Sequence, residues 1–271
     1  MVHIAVNLPI NSVRCDELNL QVRTIDMTES ARLALITGSS RGIGKAIAID
    51  LAATGVDILA TGRDETRLHN VKKEIEGFGV EAHVVPADLG TDRGINKLHK
   101  YLETNDLSVD ILVNNAAIIH PRLSLVDFEI SEWERVIDVN LIAAMKLTKL
   151  VLPAMIANNY GKIINISSIG GRKGAAGRSA YRVTKAGLIS FTESIAAEVK
   201  HSGIDVNCIC PGSVLTEGYV EAFGPQEDGE GRMMDPVEIA KLCTFLISSD
   251  SSAVTGAIID AFGSSNPLFN S

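Results

Sequence analysis

The segment "LALITGSSRGIGKAIAIDLA", residues 33–52, decides the fold. Its first five residues are typical of a buried strand, its last eleven of an amphipathic helix. The turn between them has glycines at GxxxGxG spacing, a variant of the GxGxxG dinucleotide fingerprint. Glycine lets the backbone approach a pyrophosphate, and a helix N-terminus supplies free N–H donors, so we expect a dinucleotide-binding turn rather than a purely structural one. The expected contacts in this turn are Gly38, Ser40, Arg41, Gly42, Ile43 and Gly44.

The same alternation of strand and helix continues from residue 31 onward. Apolar runs typical of parallel strands buried on both faces occur at 33–37, 56–62, 80–87, 110–115, 161–167, 204–210 and 256–260. Helical patterns occupy 42–54, 64–77, 91–104, 131–157, 179–202 and 235–249. This predicts an α/β fold in one domain, a Rossmann-type doubly wound parallel sheet of about seven strands with helices on both faces. We assign residues 31–271 to that catalytic domain and residues 1–30 to an N-terminal extension of unknown role.

Composition and charge exclude several classes of protein. A chain of 271 residues with 46% hydrophobic and 21% charged residues is typical of a globular protein, and a net charge of −8 argues against a nucleic-acid partner. We found no apolar run approaching the ~18 residues of a membrane span. The cysteines Cys15, Cys208, Cys210 and Cys243 lack zinc-type spacing, so we expect no metal site and interpret Cys208 and Cys210 as buried thiols. Without a secretory signal, the expected location is cytoplasmic.

The end of the second predicted strand bears on the choice of cofactor. An NAD enzyme usually places an acid there to hold the ribose hydroxyls, but this strand closes as Thr61-Gly62-Arg63, and Asp64 is better placed to start the next helix. Arg63 and Arg41 together can bind a 2′-phosphate, at roughly 1.5–3 kcal/mol for each charge-assisted hydrogen bond. We therefore expect NADP(H), with NAD(H) the less favoured cofactor. Two solvated arginines are the alternative.

The joint pattern of motifs resembles the short-chain dehydrogenase/reductase family over residues 31–263. The matching residues are Thr37, Gly38, Gly42, Ile43, Gly44, "NNAA" at 114–117, Asn140 in "DVNL", Ser168, Tyr181, Lys185 and Pro211-Gly212. The resemblance implies a cofactor across the carboxyl edge of a seven-stranded sheet and hydride transfer between a nicotinamide and an alcohol or ketone. Its catalytic set corresponds here to Asn140, Ser168, Tyr181 and Lys185, and the family's thirteen-residue spacing before the tyrosine selects Ser168 over Ser167. The sequence departs from the family's usual Asp-Gly-Gly at the last strand, where it reads Asp260-Ala261-Phe262.

Further cofactor contacts follow from position at the strand ends. The third strand should bring residues to the adenine, the fourth to the coenzyme backbone, and the sixth to the nicotinamide. In that order they are Asp88 and Leu89; Asn115 and Ala116; Pro211, Gly212, Val214 and Thr216. Tyr181 and Lys185 are expected to contact the cofactor as well. His120 we interpret as a solvated loop residue rather than a substrate contact.

The segment "SAYRVTKAG", residues 179–187, places Tyr181 and Lys185 on one helix face. Proton donation near neutrality requires the pKa of tyrosine to fall by roughly 3 units from about 10. An ammonium about 5 Å away, at an effective dielectric of about 20, supplies roughly 3 kcal/mol of this. We therefore expect Lys185 to lower the pKa of Tyr181, with Ser168 donating to the substrate oxygen.

The substrate is the least determined feature. Residues 216–235 are acidic and glycine-rich, and we expect a mobile substrate flap there. The acidic residues of this segment disfavour a polyanionic substrate, so an oxidoreductase of small ketones, sugars or polyols is ranked above a 3-oxoacyl-[acyl-carrier-protein] reductase. Arg172, Lys173 and Arg178 could nevertheless dock an acidic carrier protein. A catalytically idle NADP(H)-binding regulator is the alternative of another class. Family resemblance implies a homotetramer or homodimer through helices 131–157 and 179–202.

Overall fold

The computed structural model describes residues 32–225 and 233–263; the N-terminal extension, flap residues 226–232 and the C-terminal residues lie outside the described part. Its centre is a parallel sheet of seven strands in the order β3-β2-β1-β4-β5-β6-β7. The strands are β1 Leu33–Thr37, β2 Asp57–Gly62, β3 Ala82–Pro86, β4 Ile111–Asn114, β5 Gly161–Ile166, β6 Ile204–Pro211 and β7 Ile258–Ala261. The seven-stranded, single-domain Rossmann-type prediction is confirmed.

The helices cover both faces of this sheet. They are α1 Gly42–Ala52, α2 Glu65–Glu76, α3 Asp92–Thr104, α4 Ile130–Ile137, α5 Ala143–Ala157, α6 Ser179–Val199, α7 Glu217–Phe223 and α8 Pro236–Ile247. The predicted helix 131–157 is interrupted by a π turn, Asp138–Ile142, between α4 and α5. The predicted flap contains a short helix, α7, that the sequence pattern did not reveal.

Strand β1 shows why the sheet has helices on both sides. All five of its residues are buried. Because successive side chains point to opposite faces, Ile36 joins the core that contains Ile47 of α1, whereas Leu35 joins the core that contains Leu98 of α3 and Leu147 of α5. The apolar run of β1 is thus required by two separate cores.

The strand order creates a crevice beside β1. From β1 the chain proceeds to β2 and β3 on one side, then returns to β4 on the other, so that Ala34 pairs with both Ile58 and Ile111. Helices leaving neighbouring strands in opposite directions open a cleft at the carboxyl ends, the usual ligand position in such sheets. The fold therefore places the glycine turn at the mouth of a binding cleft.

The stretch Ile130–Ala157 is more apolar than the sequence reading suggested. Its most apolar 18-residue window has a mean hydropathy of 1.6, enough by length and composition to cross a membrane. Core helices pass the same test, and here 39% of the window is buried in the protein. One such helix is weak evidence for a membrane span.

The cysteine interpretation is confirmed where the structure describes the residues. Cys208 and Cys210 are fully buried free thiols on β6, and Cys243 is buried in α8. Cys15 lies outside the described residues.

Candidate active site

A cavity of about 570 Å³ runs along the carboxyl edge of the sheet. Most of the residues expected from the sequence line it: Gly38, Ser40, Arg41, Gly42, Ile43, Arg63, Asp88, Leu89, Asn115, Ala116, Ser168, Tyr181, Lys185, Pro211, Gly212, Val214 and Thr216. Gly44 and Asn140 do not line this cavity. The expected cofactor contacts and three of the four expected catalytic residues therefore share one cleft.

The glycine turn has the close-packed geometry that a phosphate cradle requires. Gly38 and Gly42 adopt φ of +65° and +56°, in the left-handed region where side chains are strained. A Cβ at Gly44 would lie 2.3 Å from the Gly38 carbonyl oxygen, so Gly44 serves the packing of the turn rather than a direct contact. The first turn of α1 starts at Arg41 without a side-chain cap, which leaves backbone N–H groups for an anion.

Two polar side chains tie β4 to this turn. The Thr37 hydroxyl accepts hydrogen bonds from the N–H groups of Asn115 and Ala116, both at 2.9 Å, and donates to the Val113 carbonyl at 3.2 Å. The Asn115 amide donates to the Thr37 carbonyl at 2.8 Å. Asn115 thus fixes the turn in addition to lining the cleft.

The structure brings Ser168, and not Ser167, together with Tyr181. A Cβ at Gly170 would lie 3.2 Å from Tyr181 Cε1 and 3.3 Å from Ser168 Oγ, so both side chains pack closely against this glycine. The Gly170 N–H donates to Ser168 Oγ at 2.9 Å. The Ser167 hydroxyl is buried and donates to the Lys185 carbonyl at 2.7 Å, so it connects the end of β5 to helix α6.

Lys185 is a buried ammonium. Its side chain is 2% exposed, and Nζ donates to the Ile166 carbonyl at 2.7 Å while lying 5.7 Å from the Tyr181 ring centroid. Burial lowers the pKa of Lys185 from 10.5 to about 8. The lysine side chain is therefore anchored on the end of β5 beside the tyrosine.

The expectation that the pKa of Tyr181 is lowered is wrong in this structure. Burial raises the pKa of the Tyr181 phenol, and the effects that oppose it are a hydrogen bond from Ser168 and the positive charges of Arg178 and Arg182. The ammonium of Lys185 donates to the Ile166 carbonyl. The four-residue spacing of Tyr181 and Lys185 on a helix gives no information on how deeply the phenol is buried.

Asn140 lies in the π turn, where it is buried. Its Oδ1 accepts from the Ile118 N–H at 2.7 Å, and its Nδ2 donates to the Ile118 carbonyl at 3.1 Å and to Thr184 Oγ1 at 3.4 Å. It also borders a void of about 10 Å³ next to Asn114. Its visible contacts join the segment after β4 to helix α6.

The two arginines expected to hold a 2′-phosphate differ in their surroundings. Arg41 forms a two-point ion pair with Glu221 of α7, and its Nη2 lies 2.7 Å from Oε2. Arg63 is exposed on the cavity wall and pairs with no carboxylate among the described residues. Asp64 accepts from the Arg67 N–H at 2.9 Å and caps α2, as expected from the sequence.

Asp88 has a partner that the sequence did not reveal. Its carboxylate pairs with Arg135 of α4, with Oδ2 2.6 Å from Nη2, and this hydrogen bond chiefly holds the pKa of Asp88 below its usual value. Arg135 also lines the cavity. The helical pattern at 131–157 could not predict that Arg135 contacts Asp88, which follows strand β3 and lies 47 residues earlier.

A further group of basic side chains lines the cavity around Tyr181. Arg178 lies over the Tyr181 ring at 4.9 Å and over the Phe223 ring of α7 at 4.6 Å, and Arg122 and Arg182 line the same wall. Arg178 also donates to the His120 carbonyl. Only the positions of Arg178 and Arg182, flanking the tyrosine in sequence, could have indicated this group.

The interpretation of His120 as a solvated loop residue is wrong. Its side chain is buried, Nδ1 is 2.6 Å from the Pro121 carbonyl, and Nε2 accepts from the Tyr181 N–H at 3.4 Å. Burial is the main cause that lowers its pKa, so the neutral ring supports the first turn of α6. It does not line the cavity.

Comparison with known proteins agrees with this geometry. The family model described as short chain dehydrogenase matches residues 32–226. A 3-oxoacyl-[acyl-carrier-protein] reductase from Aquifex aeolicus is 38% identical over 86% of this chain and 96% of its own length. D-beta-hydroxybutyrate dehydrogenase from Cupriavidus necator is 34% identical, over 84% and 95% of the two chains.

A solved structure extends the likeness to three dimensions. A variant of actinorhodin polyketide ketoreductase with NADPH superposes with a TM-score of 0.79 at 30% identity, covering 88% of this chain and 98% of the ketoreductase. With the sheet order, the glycine turn and the Ser168–Tyr181–Lys185 arrangement, these matches have one explanation. The chain belongs to the short chain dehydrogenase family of oxidoreductases, which use a nicotinamide cofactor.

Proposed function

We propose that this protein transfers a hydride between NADP(H) and a ketone or secondary alcohol. The observation that carries the proposal is that Ser168, Tyr181 and Lys185 line the same cavity as the glycine turn. A nicotinamide cofactor supplies or accepts the hydride when bound. The residues described below bind it, orient the substrate and move the proton.

The cleft fits a dinucleotide. The left-handed turn at Gly38 and Gly42 and the uncapped start of α1 suit the pyrophosphate, and a side chain at Gly44 would disrupt them. Asp88 and Leu89 line the cavity where we expect the adenine, and Pro211 and Gly212 line it where we expect the nicotinamide.

The chain's own residues divide the proton chemistry. Tyr181 gives its proton to the ketone oxygen during reduction and takes it back during oxidation. The Ser168 hydroxyl, oriented by the Gly170 N–H, donates to the same oxygen. Lys185 would hold the cofactor ribose, and Asn140, in the role that the family resemblance implies, would hold a water that relays protons to Lys185.

Preference for NADP(H) is supported by the charges at the end of β2. Arg63 is available on the wall, Gly62 leaves no acid at the ribose, and Asp64 is engaged in capping α2. Substituting Arg63→Ala should weaken NADPH binding by about tenfold or more and leave NADH binding unchanged. Equal kcat/KM with both cofactors would contradict the preference.

For the substrate we propose a small ketone, sugar or polyol-type alcohol. A 3-oxoacyl-[acyl-carrier-protein] is the second candidate, favoured by the reductase from Aquifex aeolicus. A catalytically idle regulator is disfavoured because Tyr181 and Lys185 are both present in the cleft. We propose a cytoplasmic homotetramer or homodimer, in a chain organised as an extension, 1–30, and a catalytic domain, 31–271, whose segment 216–235 is a substrate flap.

The decisive experiment is a panel of ketones, sugars and a 3-oxoacyl thioester, followed by loss of reduced-cofactor absorbance with NADPH and NADH in parallel. Tyr181→Phe should lower kcat by about 10²–10⁴-fold while NADPH binding, measured by fluorescence, is retained. NADPH binding without turnover of any compound would favour the regulator instead.

A further inference from the structure

Three guanidinium groups lie around the reacting tyrosine. Arg178, at the start of α6, stacks between the rings of Tyr181 and Phe223, and Arg122 and Arg182 line the same wall of the cavity. Arg122 and Arg182 are close enough to Arg178 to lower its pKa, an effect that adds to that of burial. The wall thus concentrates positive charge at the substrate end of the cleft.

These charges lack counter-ions within the described part of the chain. Arg178 is only 8% exposed, and its polar contact is the neutral carbonyl of His120. By contrast, Arg41 pairs with Glu221 and Arg135 with Asp88, whereas Arg63, which has no carboxylate partner among the described residues, is exposed to solvent. Buried charges in proteins are normally paired. The guanidinium of Arg178, which is buried without a carboxylate partner, is therefore suited to bind an anion from a ligand.

We propose that Arg178, assisted by Arg122 and Arg182, binds a carboxylate carried by the substrate, which is therefore a short oxo acid or the corresponding hydroxy acid. This inference rests on the proposed oxidoreductase function and names the substrate class for it. It also revises the expectation of a neutral substrate, because that expectation could not foresee that Arg178 lies against the Tyr181 ring.

The distance to Tyr181 limits how far the carboxylate is from the reacting carbon. The Arg178 guanidinium lies 4.9 Å from the centroid of the tyrosine ring whose hydroxyl serves the carbonyl. An anion bound there is a few bonds from the carbonyl, as in a 2-oxo or 3-oxo acid. The phosphate of a carrier-bound thioester lies many bonds away, and its acyl part is neutral.

A carboxylate also matches the geometry of the donors. Guanidinium groups bind carboxylates through two parallel hydrogen bonds, and the rings of Tyr181 and Phe223 restrict the plane of Arg178. The carboxylate takes no part in bond changes. In reduction the carbonyl carbon gains the hydride, the oxygen gains the Tyr181 proton, and water restores that proton.

The test compares three probes with the same carbon skeleton: acetoacetate, methyl acetoacetate and the acetoacetyl thioester of N-acetylcysteamine. The wild-type protein should show a kcat/KM at least about tenfold higher for the acid than for the neutral ester. Arg178→Gln should raise KM for acetoacetate by about tenfold or more with little change for the ester, and Arg178→Lys should restore part of the difference. An ester or thioester reduced as well as the acid by the wild type would overturn the carboxylate site.

Control variants separate this role from folding. Arg172 lies on the same connection between β5 and α6 but pairs with Asp260 and does not line the cavity, so Arg172→Gln should keep the preference for the acid. Arg122 is exposed, so Arg122→Gln should fold normally and lose a smaller part of the preference. Loss of preference in Arg172→Gln, or none in both Arg122→Gln and Arg178→Gln, would overturn the proposal.

A binding measurement distinguishes failure of this inference from failure of the proposed function. In the presence of NADP, malonate should raise Tm of the wild type but not of Arg178→Gln, and dimethyl malonate should do neither. Reduction of neutral ketones alone, without malonate binding, overturns only the carboxylate site. Malonate binding without turnover of any ketone supports the anion site and contradicts the oxidoreductase.

Discussion

The buried ammonium of Lys185 lowers the free energy of unfolding of the protein. Its ammonium is buried, and no carboxylate pairs with it in the described residues. Burial lowers its pKa to about 8, so between about pH 8 and the value of 10.5 for an unfolded chain the unfolded state binds the proton more tightly. The free energy of unfolding therefore rises with pH across that window, and at pH 7 the full penalty of the buried charge remains.

We predict that Lys185→Met stabilises the protein while abolishing turnover. At pH 7 the gain in the free energy of unfolding should be about 1–3 kcal/mol, because a desolvated charge is removed and one hydrogen bond to Ile166 is lost. The gain should shrink as the pH approaches 10.5. Urea unfolding at several pH values measures both effects.

The matched control is the other buried lysine, Lys162. Its Nζ lies 2.5 Å from Asp205 Oδ2, so Lys162→Met leaves a carboxylate without its partner and should destabilise. If both variants shift stability in the same direction, the account of Lys185 as an uncompensated charge is wrong.

A second residue-scale prediction concerns the glycine turn. Gly44→Ala should lower the free energy of unfolding by about 1–3 kcal/mol, because its Cβ would meet the Gly38 carbonyl oxygen at 2.3 Å. Gly62→Ala is the comparison: its Cβ would have the Ser40 hydroxyl at 3.6 Å as nearest neighbour, so its effect should be within about 1 kcal/mol. Thermal unfolding of the two variants tests whether the turn is sterically closed.

Sequence reasoning at this scale succeeded where a motif has fixed spacing. Ser168, Tyr181 and Lys185 come together as their separation suggested. It missed the contact of Arg178 with Phe223 and the pair of Asp88 with Arg135, because each joins residues brought together only by the tertiary fold. The pKa of Tyr181 was misjudged for the same reason, since burial is a property of the whole surroundings.

At the scale of elements, helix α7, which lies within the segment 216–235, contacts the glycine turn. Thr216 caps it by accepting from the Tyr219 N–H at 3.1 Å, and Glu221 pairs with Arg41 from the glycine turn. This ion pair is largely exposed and therefore weak. If NADP(H) is the cofactor, as proposed, its 2′-phosphate would compete with Glu221 for the same guanidinium.

We predict that Glu221→Gln strengthens NADPH binding by about two- to fivefold, since the competitor for Arg41 is removed. Affinity for NADH should not change, because it carries no 2′-phosphate. Fluorescence titration with both cofactors measures the difference. Glu193→Gln, on an exposed position of α6 away from the cavity, should leave both affinities unchanged; a weaker NADPH affinity in Glu221→Gln would instead indicate that the pair holds α7 in place.

Helix α7 and the π turn were the elements that sequence patterns did not reveal. α7 has seven residues, Glu217–Phe223, too few to establish a helical period in a stretch rich in glycine and acid. The π turn Asp138–Ile142 adds one residue to a helix without interrupting its apolar character. Long helices and buried strands were predictable because their period repeats several times.

At the scale of the whole molecule, exposed apolar side chains on α5 and α6 favour self-association. Met145, Ile156 and Val183 are 43%, 47% and 49% exposed. We predict that light scattering after gel filtration gives two or four times the mass of one chain. Val183→Glu combined with Met145→Glu should shift that mass downward, whereas a monomeric wild-type protein at micromolar concentration would contradict the predicted assembly.

The alternation of apolar runs and helical periods predicted the class of fold and about seven parallel strands. The strand patterns did not give the order β3-β2-β1-β4-β5-β6-β7, because every buried strand is apolar throughout and any two could pair. The resemblance supplied the expected location of the cofactor, whereas the wall formed by Arg122, Arg178 and Arg182 could be recognised only in the assembled cleft.

The cleft depends on residues around the seventh strand, which are among the last to be synthesised. Gly212, at the cavity, donates its N–H to the Ala261 carbonyl at 2.9 Å, and a side chain there would collide with the Phe262 carbonyl at 2.6 Å. A ribosome releases β1 and the glycine turn first and residue 262 more than 200 residues later. Because a domain folds as a unit, a nascent chain cannot complete the cleft wall around Gly212 until the last strand of this domain has emerged, when translation is nearly finished.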